Sequence, residues 1–507
     1  MLSMVRAAAL SGIEAVPVEV EVNNGHGDTG TVIVGLPDAA VRESRDRVGT
    51  ALTNSGYRFA LGWTTINLAP ADLKKEGPSF DLPIAVGMLA ASEQIESNCL
   101  DDYVLLGELA LSGAVRPVKG ALPVALAAKA DGCRGILLPA DNAPEAAVVK
   151  ELEVIPIQNL REAAAFLEGN QVIPSFQIDT SSLFDTRTNG ELDMADVKGQ
   201  GSVKRALEIA AAGGHNLLLI GPPGTGKSML AKRFATILPP LTLGEALETT
   251  KIHSVAGLLD SGQALVTQRP FRAPHHTASD AGLLGGNINP SPGEISLSHN
   301  GVLFLDELPE FKRSVLETMR QPLEEGQVTI SRAAGTVTFP SRFMLVAAMN
   351  PTPDGKMPAE SRSGPREIQN YLGRISGPLL DRIDLHIEVP PVDFREMTGE
   401  GNGESSEAIR GRVVKARQHQ HERFQKTATP CNARMTTREL KTHCSLADLD
   451  KNMIRQAMDE LQLSARAYDR ILKTARTIAD LDDAPAIQTA HLSEAIQYRT
   501  LDRQLWG

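Results

Sequence analysis

Short strand-like apolar runs such as Val16–Val22 and Gly30–Val34 alternate with Ala-rich helical runs such as Leu82–Ala91 and Leu122–Ala130 along the first third of the chain. Polar text takes over around Gly169–Asp193, where Ser, Thr and Asn cluster without periodicity, and marks a linker. Beyond it the pattern changes character. Asn216–Ile220, Gly301–Leu305 and Phe343–Met349 are short and unbroken, as buried strands are, and Met229–Leu238 has the spacing of an amphipathic helix. Gln327–Phe339 alternates like a two-stranded ribbon with Arg332 near its tip. A second polar stretch, Thr398–Ser406, leads into mostly helical sequence from Glu407 onward, and no internal repeat is visible. The expected organisation is an α/β chain with units at residues 1–168, 194–393 and 394–507 and a linker at 169–193.

Candidate chemistry sits at the joints of this pattern. Between the run Asn216–Ile220 and the helix after it stand Gly221, Pro222, Pro223, Gly224, Thr225, Gly226, Lys227 and Ser228, a phosphate-binding loop in its strand-then-helix context. The glycines let backbone amides curl around the β- and γ-phosphates, Lys227 reaches the same oxygens, and the Ser228 hydroxyl can ligate Mg²⁺. The helix that follows aims its positive end at the phosphates. Nucleoside triphosphate binding is therefore predicted.

Hydrolysis needs more. The strand Gly301–Leu305 runs into Asp306, placed to hold the Mg²⁺ shell, and Glu307, placed to orient an attacking water. The strand Phe343–Met349 ends in Asn350, either a γ-phosphate sensor or a plain turn residue before Pro351. Arg382, flanked by Asp381 and Asp384, reads as a surface ion pair or as an arginine finger reaching a neighbouring subunit's site.

These four elements in this order resemble the AAA+ ATPases. Arg269–Thr277 (Arg-Pro-Phe-Arg-Ala-Pro-His-His-Thr), Pro292–Leu297 and Ile375–Arg382 look like the magnesium-chelatase-like branch, specifically the YifB/ComM family, and the resemblance covers nearly the whole chain. It implies an AAA+ core with an insert before the Asp-Glu strand and a hairpin before the Asn strand. A C-terminal helical lid would follow, in which Leu463–Tyr468 supplies Arg466 as a second sensor folding onto the γ-phosphate. An exposed helical arginine is the plainer reading of Arg466.

The same resemblance makes residues 1–168 a Lon-protease-like α+β domain, with Lys74–Ser79 similar to the segment that carries a serine nucleophile. A serine needs a base. Where the pattern would place a lysine stands Leu122, with Lys119 three residues earlier, so a non-catalytic domain is expected in which Ser79 caps a helix starting near Asp81.

Family members also carry two cysteine pairs after the sensor strand that could hold zinc. Here Thr352, Asp354, Ser361 and Ser363 stand at those positions, so no structural zinc is expected. His275 and His276 should not restore a metal site, because adjacent side chains of extended backbone point to opposite faces, and a packing or hydrogen-bonding role is expected for the pair.

Composition excludes some classes. The 42% apolar residues can build large cores, and Cys99, Cys133, Cys431 and Cys444 have neither paired nor metal-type spacing, which suits the cytoplasm. No apolar run is long enough to predict a targeting or membrane-spanning segment. With 51 Lys+Arg against 62 Asp+Glu, a net charge of −11, an outer surface coated with nucleic acid is disfavoured, although a ring channel can still concentrate a few basic groups. Arg332 is either an exposed arginine on a solvated turn or, as the resemblance implies because related replicative helicases of the same branch carry a lysine at the similar tip, the DNA contact. The helix from Glu407, with Arg410, Arg412, Lys415, Arg417 and Arg423, is a second basic candidate or simply a wet face.

What the resemblance implies is an ATP- and Mg²⁺-dependent homohexamer, promoted by ATP, that drives branch migration of DNA. The alternatives are a chelatase-type ATPase remodelling a partner protein for metal insertion into a tetrapyrrole, and an ATP-gated chaperone or scaffold.

Overall fold

The computed structural model describes residues 1–59, 62–96, 99–180, 182–184, 192–286, 290–332, 335–358, 360–392, 403–427, 429–501 and 505, without the side chain of Arg332. Two compact units form. One comprises Met1–Arg187 with Thr242–Thr267 and Ala333–Phe339; the other comprises Thr188–Leu241, Gln268–Arg332 and Pro340–Gly507. The mixed α/β class expected from the sequence is the one that forms.

The first unit is built on β1 (Leu2–Ser11), β2 (Glu14–Asn24), β3 (Gly30–Val34), β4 (Trp63–Ala69), β5 (Tyr103–Leu105), β6 (Gly135–Pro139) and β7 (Glu153–Ile157), in the order β3-β4-β2-β1-β5-β6-β7. β1 and β2 form an antiparallel hairpin whose two-residue connection contains Gly12 at φ 64°, a conformation glycine adopts without strain. Alternation along β1 divides the core. Val5, Ala7 and Ala9 join a cluster with the helix Asp81–Ala91, while Ala8 joins a second cluster with the helix Ala121–Ala130.

Ser79 is not the helix cap that was expected. Gly77 at φ 81° and Pro78 open a tight 3₁₀ turn, Pro78–Phe80, which runs directly into the helix, so Phe80 occupies the cap position and no side chain caps it. The first helical amides are satisfied instead by the carbonyls of Pro78 and Gly107.

A piece of chain from far along the sequence completes this unit. The helix Leu243–Ala256, capped by Thr242 with Glu245 reciprocating, presents Ser254 to the buried carboxylate of Glu145, which also accepts from the Leu122 amide at 2.8 Å and from Asn142 Nδ2 at 3.4 Å. Leu247, Ala264 and Leu265 pack into the cluster around Ala121–Ala130, and Lys251 Nζ lies 3.0 Å from Glu14. Burial raises the Glu145 pKa, only partly offset by the Ser254, Leu122 and Asn142 donors.

The second unit holds a parallel sheet of β8 (Leu217–Ile220), β9 (Phe271–Arg272), β10 (Val302–Leu305), β11 (Met344–Met349) and β12 (Leu385–Glu388), in the order β9-β10-β11-β8-β12. β8 is wholly buried, as its unbroken apolar run requires of a parallel strand covered on both faces. Asn216, just before β8, fastens three strand starts. Its Oδ1 accepts from the Leu345 amide at 2.9 Å, its Nδ2 donates to the Arg382 carbonyl at 2.9 Å, and its amide donates to Asp384 Oδ2 at 2.8 Å. The helices Gly201–Gly213, Ser406–Arg423 and Ala465–Leu481 pack with these strands into one apolar cluster.

Because the folded state raises the Glu145 pKa, the stability this carboxyl supplies is present at low pH and is lost as pH rises through its folded-state value. Glu145→Gln should therefore gain stability relative to wild type as pH rises from the ordinary carboxylate range through the raised Glu145 pKa, read as a growing Tm difference. Ser254→Ala should cost about 1–3 kcal/mol in the same thermal unfolding, as loss of a donor to a buried acceptor does.

Candidate nucleotide-binding and hydrolysis site

The carboxyl ends of β8, β10 and β11 lie along one edge of the parallel sheet, the edge where open α/β sheets bind ligands. β8 leads into the phosphate loop. Gly224 and Gly226 take left-handed conformations, φ 81° and 87°, and a Cβ on Gly221 would stand 2.3 Å from the Val389 carbonyl oxygen, so each glycine is required where it stands. Thr225 Oγ1 donates to the Pro222 carbonyl at 3.0 Å, and Gln200 Nε2 donates to the Thr225 carbonyl at 2.9 Å. The helix begins at Lys227 and spans Lys227–Phe234, earlier than the apolar run suggested, which sets Lys227 and Ser228 in its first turn.

Lys227 is buried, and its three ammonium donors meet the carbonyls of Gly221 at 2.7 Å and Pro222 at 2.9 Å and Asn350 Oδ1 at 3.2 Å. Burial lowers its pKa, opposed by the nearby Asp306 and Glu307 carboxylates. Ser228 Oγ donates to Asp306 Oδ2 at 2.5 Å, while Asp306 Oδ1 accepts the Glu307 amide at 3.0 Å. Glu307 sits at φ 52°, left-handed for a residue with a side chain, which turns its carboxylate away from the strand direction. Asn350 follows the last residue of β11, and Tyr371 donates to its carbonyl at 3.3 Å. The fold thus brings Gly221, Pro222, Lys227, Ser228, Asp306 and Asn350 together.

A histidine that sequence reasoning gave a packing or hydrogen-bonding role, with no part in the site, lies beside this group: His276 Nδ1 is 3.5 Å from Glu307 Oε2. The expectation that His275 and His276 point to opposite faces is wrong. They lie in a turn rather than in extended backbone, and their rings lie against each other, tilted by 34° with centroids 4.1 Å apart. Their segment is tied to the Pro292–Leu297 motif by Arg272, whose Nε and Nη2 reach the Glu294 carboxylate at 2.6 and 2.7 Å.

Arg382 and Arg466 belong to a different place. The Arg382 side chain is 5% exposed and donates to the Pro378 carbonyl at 2.5 Å, while its ion-pair partner Glu324 is 49% exposed, so a buried guanidinium meets a carboxylate at the surface. Arg466 is the exposed second residue of the helix Ala465–Leu481. Both lower the Glu324 pKa, Arg382 first and by hydrogen bonding. Among the described residues neither arginine makes a hydrogen bond or ion pair with the phosphate loop. A cavity of 560 Å³ opens beside Arg382, lined also by Glu317, Arg320, Glu324 and Ser331 but by none of the phosphate-loop residues. Arg332 ends the strand Gln327–Arg332, and its side chain lies outside the described residues.

The basic helix Ser406–Arg423 is a paired face. Arg412 reaches Glu208 and Glu404, Lys415 reaches Asp483 at 2.7 Å, and Arg423 reaches Asp480 at 2.5 Å, which leaves those charges spent within the protein.

Ser228 and Asp306 offer one hydroxyl and one carboxylate side by side, a hard oxygen set of the kind Mg²⁺ takes when substrate phosphates and water supply the other ligands. No cluster of three or more His, Cys, Asp or Glu able to hold a metal occurs among the described residues, so a closed protein cage is not what this site offers.

Residues 193–397 match the family described as magnesium chelatase, subunit ChlI; residues 18–142 match subunit ChlI of Mg-chelatase, and residues 403–499 its C-terminal part. Over 508 residues, 99% of this chain and 98% of the relative, the sequence is 47% identical to the YifB protein of Salmonella typhimurium. It is 46% identical over 511 residues to YifB of Escherichia coli and 46% identical over 510 residues to the competence protein ComM of Haemophilus influenzae, each time over 99% of this chain and 98% of the relative. The chain belongs to the YifB/ComM family. The YifB/ComM proteins are magnesium-chelatase-like, an AAA+ ATPase group, and the parallel sheet in the order β9-β10-β11-β8-β12 fits that fold.

The site geometry separates two variants. Lys227→Ala removes the ammonium from the cradle and should weaken binding of a fluorescent ATP analogue by about tenfold or more. Glu307→Gln leaves the cradle intact and should bind the analogue as wild type does, while phosphate release falls by about a hundredfold or more.

Proposed function

We propose that this chain is an ATP-hydrolysing ring motor that acts on branched or single-stranded DNA during recombination of incoming strands. One observation carries the hydrolysis half: Lys227 bonds Asn350 and its neighbour Ser228 bonds Asp306 at the edge of a parallel sheet, with Glu307 following Asp306. Kinship with a competence protein supports the DNA half.

In this reading the loop amides and Lys227 take the phosphates, exchanging the Gly221 and Pro222 carbonyls for phosphate oxygens. Ser228 and Asp306 would hold Mg²⁺, which would supply positive charge to neutralise the phosphates. Glu307 orients a water and accepts its proton, Asn350 marks the γ-phosphate, and Arg466 is the second sensor. Arg382 serves a neighbouring copy in an ATP-promoted hexamer, after trading Glu324 for that copy's phosphate. Arg332 contacts the DNA backbone from its hairpin.

Residues 1–168 form a non-catalytic Lon-protease-like scaffold, and residues 394–507 a helical lid. The scaffold role is supported by Leu122, buried where a lysine would be needed, and by Lys119, whose Nζ faces the Ala256 carbonyl at 3.5 Å. No helix among the described residues is long and apolar enough to cross a membrane, and we place the protein in the cytoplasm. The competing reading, a chelatase-type ATPase remodelling a partner for metal insertion into a tetrapyrrole, rests on the ChlI resemblance of the core and expects no response to DNA.

ATPase assays with and without branched DNA decide between them, with stimulation expected. Arg332→Ala should abolish that stimulation and flatten the salt dependence of DNA binding by about 0.9 in the slope of log K against log salt per engaged subunit. Arg382→Ala should lose roughly 10³-fold in turnover, partly restored by mixing with excess Lys227→Ala protein, since each copy supplies what the other lacks. A chain that stays monomeric at saturating ATP, by mass measurement in solution, would remove the basis for the trans arginine. Ser79→Ala should leave both ATPase and DNA stimulation unchanged, and loss of either would show that the first domain takes part in the chemistry.

A further inference from the structure

Thr352, Asp354, Ser361 and Ser363 are not idle. After Asn350 the chain forms a loop that Asp354 gathers up: its Oδ1 accepts from Thr352 Oγ1 at 2.6 Å and Ser361 Oγ at 2.8 Å, and its Oδ2 accepts from the Arg362 amide at 2.8 Å. Ser361 Oγ in turn accepts from the Ser363 amide at 3.1 Å. Thr352 is fully buried and its hydroxyl also lies 2.6 Å from the Lys356 carbonyl oxygen. The donors from Thr352, Arg362 and Ser361 hold the Asp354 carboxyl well below the usual carboxylate range, as expected of an anion fastened by several hydrogen bonds.

This knot ties the beginning of the loop to its end, and between them it presses one residue onto the nucleotide site. Gly355, at φ 79°, lies so close to the phosphate loop that a Cβ would meet Pro223 Cδ at 2.6 Å and Cγ at 2.8 Å. Pro223, which the loop touches, follows the Pro222 carbonyl that Lys227 reaches, and Asn350, from which the loop extends, supplies another of its acceptors.

We propose that Asp354 is a positioning residue of the nucleotide site: by gathering Thr352, Ser361 and Arg362 it seats Gly355 on Pro223 and thereby holds the phosphate loop and Asn350 in the geometry that receives the phosphates. The inference deepens the ATPase reading and rests on it. Oxygen hydrogen bonds do here what a metal held by thiolates would do, so the fastening carries no dependence on metal supply or thiol oxidation.

The test uses the full chain, with hydrogen exchange of residues 352–363 measured without nucleotide and affinity for a non-hydrolysable ATP analogue measured beside it. Asp354→Ala should speed exchange at Arg362 by about tenfold or more and weaken the analogue by a similar factor. Gly355→Ala should weaken the analogue, because the methyl meets Pro223 and the residue must hold a left-handed φ that alanine adopts only under strain. Unchanged exchange at Arg362 in Asp354→Ala overturns the knot, and faster exchange with unchanged affinity overturns the positioning role. A wild-type chain that binds no ATP sinks the motor reading and this role with it; one that binds ATP as well as its Asp354→Ala variant sinks only this inference.

Discussion

The second unit depends on a carboxylate buried at the base of its sheet. Asp384 is 1% exposed and holds the Asn216 amide at 2.8 Å and Arg470 Nη1 at 2.7 Å. Burial alone would raise its pKa, but Arg470 and then His215 and the Asn216 amide more than reverse that, and the group stays ionised. An ion in this position is expensive to leave unpaired, about 3–5 kcal/mol when one partner is removed. The starts of β8 and β12 and the helix Ala465–Leu481 are therefore fixed to a single point. Since Asn216 also holds Leu345 at the start of β11, the register of three neighbouring strands is decided at this end, and the far ends deliver Gly221 and Asn350 side by side.

At that far edge the protein answers its own charges. Lys227 spends its donors on loop carbonyls, Ser228 on Asp306, and Glu307 lies beside His276. Each contact is weaker than what a phosphate or a cation offers the same group, so the arrangement is preorganised without being sealed. Arg382 pairs instead with Glu324, whose pKa Arg466 lowers through its charge alone.

The phosphate loop, the strand ending in Asp306 and Glu307, and the strand before Asn350 were legible because each is a contiguous run whose apolar pattern and terminal polar residues lie within a few positions of one another. β3 forms at the residues its pattern marked, Gly30–Val34. What could not be read are partnerships between residues far apart in sequence: Glu324 with Arg382, His276 with Glu307, Arg423 with Asp480, and Glu145 with Ser254. No spacing rule relates such positions, since the chain between them turns several times before they meet. The pair His275 and His276 carried a signal, two adjacent imidazoles in a Pro-rich segment, but assuming extended backbone where a turn forms sent it in the wrong direction.

The helix Leu243–Ala256 and the residues after it carry a consequence for synthesis. Ala264 and Leu265 fill the cluster around Ala121–Ala130, and Ser254 answers Glu145 there. A ribosome that has delivered the whole of residues 1–187 has therefore not yet delivered the last apolar side chains of the first unit. The phosphate loop and its helix emerge in the meantime, so the two units are built in an interleaved order, and the earlier one waits on the later with part of its core open to water. A chain that ends in the polar stretch 169–193 would never close that core.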